Sequence, residues 1–179
     1  MTGRKIPYYT VDAFTDTPFA GNPAAVCLEI DGLSDMAMAR IAGEMNLSET
    51  AFVYRPGDDG SRGLRWFTPA VEVPLCGHAT LASAHVLLRE RGATGPVRFG
   101  SLSGILTVHE EGGRLRLDFP ANPAVEAPIP TGLADALGLG AADAAFASSG
   151  KVALVVVASE GEVLSVRPDF GALGRVALP

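Results

Sequence analysis

The sequence predicts an α+β fold in which a sheet wraps a central helix, and three observations point there. From His78 onward, Ala79, Leu81, Ala82, Ala84, Val86, Leu87 and Leu88 form a helical segment that is apolar nearly all round, with charge only near Arg91-Gly92. A helix with no polar face is surrounded by protein and not laid on a surface. Around it, short strand-like runs bounded by Gly, Pro, Asn and Asp supply a sheet to enclose it. The balance of 47% hydrophobic against 19% charged residues over 179 positions is that of a core-forming chain.

The elements follow in order. Tyr8 to Phe14 reads as a strand, Thr15 to Pro23 as a loop ending in Gly21-Asn22-Pro23, and Ala24 to Ile30 as a buried strand. Cys27, in the middle of that strand, reads as a small core hydrophobe. Ser34 is a helix N-cap, and Met36, Ala37, Ile41 and Met45 recur at helical spacing behind it, with Glu44 on the solvated face. The next stretch, Asn46 to Phe52, reads as a turn leading into a strand from Ala51 to Tyr54. Asp58-Asp59-Gly60-Ser61 then turns the chain so that Val53 and Leu64 lie on an antiparallel pair. Leu64 to Phe67 is a strand, the helix from His78 to Arg91 follows, and Val97–Phe99, Ile105–His109 and Leu115–Phe119 are strand-like. Glu111-Gly112-Gly113 joins the last two as a hairpin.

These elements place a first domain over 1–120. Four prolines between Pro120 and Pro130 mark 121–130 as a linker. Residues 131–179 then read as the incomplete start of a second, similar domain, with helices at Leu133–Leu139 and Glu160–Val166 and a buried strand at Val152–Ala158.

The net charge of −6 and the lack of basic runs interleaved with aromatics argue against nucleic acid or an anionic membrane as partner. No apolar run approaches the roughly 20 residues of a membrane span, and Met1 to Pro7 is not a signal peptide. Two cysteines far apart do not make a disulfide framework, so a cytoplasmic setting is expected.

Chemistry concentrates at two places. Glu49 sits between Ser48 and Thr50, where flanking elements could hold a carboxylate still for proton transfer; a capping turn is the competing reading. Gly77-His78 opens the buried helix, whose first N–H groups have no internal partners and whose dipole is positive at that end. That end suits a carboxylate, with Gly77 allowing close approach and His78 able to hydrogen-bond, unless His78 simply points to solvent. Cys76, beside the helix start, is either packing or a thiol with a lowered pKa. His85 lies two turns beyond His78, too far to share a metal, and no cluster has zinc-like spacing, so no metal site is expected. His109, at a hairpin end, reads as surface.

Three stretches in this order resemble the phenazine-biosynthesis PhzF-like isomerase family, of the diaminopimelate-epimerase-like fold. They are Gly21-Asn22-Pro23; Glu44 to Phe52; and Phe67-Thr68-Pro69 followed by Val73 to Leu81. The likeness runs from about Val11 to Phe119 and continues weakly through Ser149–Val157 and Arg167–Phe170. It implies two similar domains, each a mixed β-barrel around a central helix, with the active site between them. It also implies cofactor-free acid–base chemistry on a small unsaturated or cyclic acid. By motif position Glu49 is then the general acid/base, Gly77 and His78 bind substrate, and Ser48 and Asn22 support the site.

The family's second half carries a motif like Glu-Asp-Pro-Val-Thr-Gly-Ser-Ala-His, which does not occur here. The resemblance therefore implies a site completed by a second polypeptide, a second copy of this chain or a missing half. Two alternatives stand beside the isomerase: a cysteine-type racemase or epimerase using Cys76, and a non-catalytic subunit that binds a small acid.

Overall fold

The computed structural model describes residues 5–140, 144–149 and 152–177; Met1–Arg4 and the final Leu178-Pro179 lie outside them. The chain divides into two compact units, Met1–Phe119 and Pro120–Pro179.

In the first unit, β1 (Tyr8–Ala13) pairs antiparallel with β2 (Asn22–Leu28). Helix α1 (Asp35–Met45) follows, its first turn fixed by the Ser34 hydroxyl, which accepts from the Ala37 amide. It ends at Asn46, whose left-handed φ of 51° lets its N–H bond the Ala42 carbonyl and turns the chain sharply. The next strand, β3 (Glu49–Pro56), lies parallel to β2, so β2-α1-β3 is a crossover unit. β4 (Arg62–Phe67) returns antiparallel to β3, with Val53 opposite Leu64, and short β5 (Glu72–Val73) pairs with β4. Helix α2 (Gly77–His85) then carries the chain to β6 (Val97–Ser101), parallel to β4. β7 (Gly104–Glu111) and β8 (Arg114–Asp118) complete an eight-stranded sheet in the order β1-β2-β3-β4-β6-β7-β8, with β5 on β4.

The two crossover helices use opposite faces of this sheet. Along β3, Ala51 and Val53 join one core while Phe52 joins another, as strand alternation requires. The inner core packs Val26, Leu28, Leu64, Trp66, Phe99, Leu106 and Val108 against α2. The outer core packs Met38 and Ala42 of α1 on Cys27, Ile30, Phe52 and Phe67, the two rings edge to face at 5.5 Å. Helix α2 touches β1, β2 and β3 at one side of the sheet and β8 at the other. The sheet therefore curls around α2 as a half-barrel, a mixed α+β architecture. Arg65 pins the outer face, giving Nε and Nη2 to Glu72 at 2.7 Å each and Nη1 to Asp35 at 2.7 Å.

Three readings need correction here. Glu49 and Thr50 are not turn residues: pairing of Ala24 with Glu49 and Ala25 with Thr50 draws them into β3. The buried helix keeps α geometry only to His85, after which Val86–Glu90 widen into a π turn closed by the Arg91 N–H on the Val86 carbonyl. His109 is half-buried, with Nε2 3.5 Å from Asp118.

In the second unit, β9 (Val125–Glu126), β10 (Ala144–Ser149) and β11 (Val152–Val157) form a sheet in the order β11-β10-β9. The proline-rich stretch read as a linker thus contributes β9, held to two residues because proline cannot donate to a ladder. Nor is β11 a buried strand, since Val152, Leu154 and Val156 are exposed on one face. Helices α3 (Leu133–Leu137), α4 (Glu160–Ser165) and α5 (Phe170–Leu173) complete the unit. β10 and α5 have no counterpart in the sequence reading. Among the described residues no helix is long and apolar enough to cross a membrane.

Candidate active site

The site forms where the start of β2, the start of β3 and the N-terminus of α2 meet. Because Ala51 and Val53 face the inner core, alternation sends Glu49 to the same side, toward α2. Its carboxylate Oε2 stands 3.5 Å from His78 Nε2. The His78 ring does not point to solvent; its side chain is only 8% exposed, while that of Glu49 keeps 21%.

Burial holds His78 below the ordinary histidine value, against the opposing pull of the Glu49 carboxylate and of a hydrogen bond to the Pro23 carbonyl. Desolvation prevails, so at neutral pH the contact joins a carboxylate to a neutral imidazole and is not an ion pair. On the same ring nitrogen, Ser48 Oγ lies at 3.4 Å, and Ser48 Oγ in turn donates to Asn22 Oδ1 at 3.5 Å. On the other, Nδ1 lies 3.5 Å from Cys76 Sγ.

Cys76 is buried, and its thiol is pushed up to about 11, first by burial and further by the Glu49 carboxylate, with the Ala79 amide pulling the other way. A thiol in that state is protonated at neutral pH, opposite to the activated thiol that a helix start suggests. Cys27 belongs to the outer core, across the sheet, and burial pushes it to about 11 as well.

Gly77, the first residue of α2, has the Phe119 ring beside it, 3.5 Å from where a Cβ would lie. No acidic side chain occupies the first turn of α2, leaving its positive end open to an anion. Gly21 has no such room: a Cβ there would fall 2.4 Å from the Ala13 carbonyl, so only glycine lets the loop close onto β1 and present Asn22.

The structure thus brings together Asn22, Ser48, Glu49, Cys76 and His78, with Gly77 adjoining. Sequence reasoning missed Pro23, whose carbonyl accepts from His78, and Thr80, whose hydroxyl donates to the Cys76 carbonyl at 2.5 Å. The signal for Thr80 is its place four residues after Cys76 in a helix, the spacing at which a hydroxyl bonds back.

The family model for phenazine biosynthesis-like proteins, PhzC-PhzF, matches residues 11–176. The chain belongs to the PhzC-PhzF family. Among PhzC-PhzF relatives, an uncharacterized isomerase of Pseudomonas aeruginosa is 48% identical over 170 residues, 94% of this chain and 64% of that protein. The crystal structure of a PhzF-family protein from Enterococcus faecalis is 41% identical, with a TM-score of 0.86 over 97% of this chain and 65% of that one. A predicted epimerase of Pseudomonas aeruginosa is similar at 25% identity and a TM-score of 0.64, over 98% of this chain and 64% of that one. The chain therefore spans slightly under two thirds of the length of these relatives.

Proposed function

We propose that this chain carries the acid–base wall of a cofactor-independent isomerase, which moves a proton between carbons of a small unsaturated or cyclic acid. Glu49 is the group that takes and returns the proton. The observation that carries this reading is the placement of a partly exposed carboxylate 3.5 Å from a buried, neutral imidazole at the open end of α2. A neutral His78 can donate or accept a hydrogen bond as the proton comes and goes. The substrate carboxylate lies at the Gly77-His78 end of α2, and Ser48 and Asn22 hold the imidazole side of the site. Membership of a family whose relatives are named as isomerases supports the reaction class.

The opposite wall of the site comes from a further polypeptide segment: a complementary chain, a second copy or a missing half of this protein. The relatives' additional length is consistent with such a segment. The test is incorporation of solvent deuterium into unsaturated cyclic carboxylates by the assembled protein, with wild-type chain and with Glu49→Gln. Exchange that survives the substitution overturns the proposal.

The second reading is a thiol racemase using Cys76, favoured by the epimerase-like fold. The raised thiol value weighs against it, as does the position of Cys27 across the sheet, where it cannot serve as the opposing base. Loss of exchange in Cys76→Ser with retention in Glu49→Gln would favour the thiol. Tight binding of such acids with no exchange in any variant would make the chain a binding subunit.

A further inference from the structure

We propose that Glu49, Cys76 and His78 together form a binding site for a thiophilic divalent cation of the zinc class, and that the cation displaces the proton function of Glu49. The binding stands on geometry alone; its effect on activity rests on the acid–base reading of Glu49.

The three residues each offer a ligand atom of a different kind, sulfur, nitrogen and oxygen, and these atoms lie within 4.8 Å of one another. Zinc-class ions take this donor set, with bonds of about 2.3 Å to sulfur and about 2.0 to 2.1 Å to nitrogen. At a tetrahedral centre those bond lengths put the two donors about 3.6 Å apart. Cys76 Sγ and His78 Nδ1 are separated by 3.5 Å, so one edge of the tetrahedron already has its length.

Both residues of that edge are held in place. Each is only 8% exposed, and the Thr80 hydroxyl fixes the Cys76 carbonyl. The third ligand is the one that moves. Glu49 rests against the other ring nitrogen, Nε2, at 3.5 Å, on a side chain with three rotatable bonds and 21% exposure. Turning the carboxylate toward Sγ closes the site.

Binding replaces the sulfur–hydrogen bond by a sulfur–metal bond and releases the proton to water. No electron changes hands. Three protein ligands leave the fourth position to water or to an anion at the α2 terminus. While the cation holds the Glu49 carboxylate, that group cannot exchange a proton with carbon.

No local spacing announces this site, because Cys76-Gly77-His78 supplies two ligands and the third arrives with β3. It differs from a lone thiol in that sulfur, imidazole and carboxylate converge from two elements.

The probe is Cd²⁺ added to the full-length chain, followed by the ultraviolet charge-transfer band of a cadmium–thiolate bond. The expected result is a band that saturates at one Cd²⁺ per chain, persists in Cys27→Ala and is absent from Cys76→Ser. Glu49→Gln and His78→Gln should each weaken Cd²⁺ by at least about tenfold, a loss that even outer-shell partners of a metal produce. Circular dichroism of every variant separates loss of the site from loss of the fold, and Cys76→Ala serves if the serine variant does not fold. No band in the folded wild type overturns the proposal, as does a band that survives in folded Cys76 variants or an affinity unchanged by both ligand substitutions. Deuterium exchange measured with and without Zn²⁺ tests the effect on activity separately. Binding without inhibition refutes the displacement of Glu49 and leaves the site standing.

Discussion

Oε2 of Glu49 stands 3.5 Å from Nε2 of a His78 ring that burial keeps uncharged. One group comes from the first residue of a strand and the other from the first turn of a helix, and with the ring uncharged the two form no ion pair. This contact therefore contributes little to folding, and the carboxylate remains available for chemistry.

Glu49→Gln should consequently change the unfolding free energy by less than about 1 kcal/mol, since an amide keeps a hydrogen-bonding oxygen and no ion pair is lost. Urea unfolding measures it. A drop of several kcal/mol would mean that the carboxylate is a structural anchor.

Two glycines near the site should respond in opposite ways. Gly21→Ala drives a Cβ into the Ala13 carbonyl and the Thr15 methyl at 2.4 and 2.6 Å, so the loop must move at a cost of about 1 to 3 kcal/mol. Gly77→Ala meets only ordinary contact with Phe119, so its melting temperature should stay within about 4 °C of wild type, the shift that roughly 1 kcal/mol produces. Its damage should fall on the binding of small carboxylates, read by calorimetry. Comparable melting losses in both variants would refute this distinction.

The Thr50 hydroxyl is fully buried and has no hydrogen-bond partner among the described residues. Replacing it with a methyl of the same shape removes an unmet desolvation cost, so Thr50→Val should be neutral or stabilising by up to about 1.5 kcal/mol. Thr50→Ser keeps the hydroxyl, loses the methyl and should be destabilising. Thermal unfolding of the pair orders them, and the reverse order would show that the hydroxyl is satisfied.

Much of the fold could be read from the residues, and the reasons are physical. The segment from His78 lacks a polar face, which only enclosure explains, and Gly112-Gly113 between alternating runs leaves little choice but a hairpin. Glu49 and Thr50 misled because Ser, Glu and Thr have turn character; parallel pairing with Ala24 and Ala25 overrides that local preference. The convergence of Glu49 on Cys76 and His78 was not legible from spacing, because contact between a strand and a helix is set by crossover topology. Nothing in Val86 to Glu90 signals a widened turn.

Arg65→Met should cost about 1 to 3 kcal/mol, because the two parallel hydrogen bonds to Glu72 link half-buried groups. The difference should also depend on pH. Arg65 holds the Asp35 carboxyl below the usual carboxylate range, so the folded state binds its proton less readily than the unfolded chain. That contribution is present above about pH 4, the ordinary aspartate value, and disappears as pH falls through the lower folded value. Denaturation at pH 7 and pH 3 should show the gap between wild type and variant narrowing in acid; a constant gap would exclude Asp35 from the pair's effect.

The parallel register that sets Ala24 opposite Glu49 gives the site a parity. Side chains on β3 change sides at every residue, so one amino acid inserted between Asn46 and Glu49 and absorbed by a slip of the strand would deliver Ser48, or the newcomer, to His78. Glu49 would then be turned toward the outer core beside α1. Two inserted residues would restore the side but shift the carboxylate along the strand by about 6.6 Å, beyond reach of the ring. Length changes in the α1–β3 connection are therefore silent only when the loop absorbs them whole, and the chemistry is read in a frame of two.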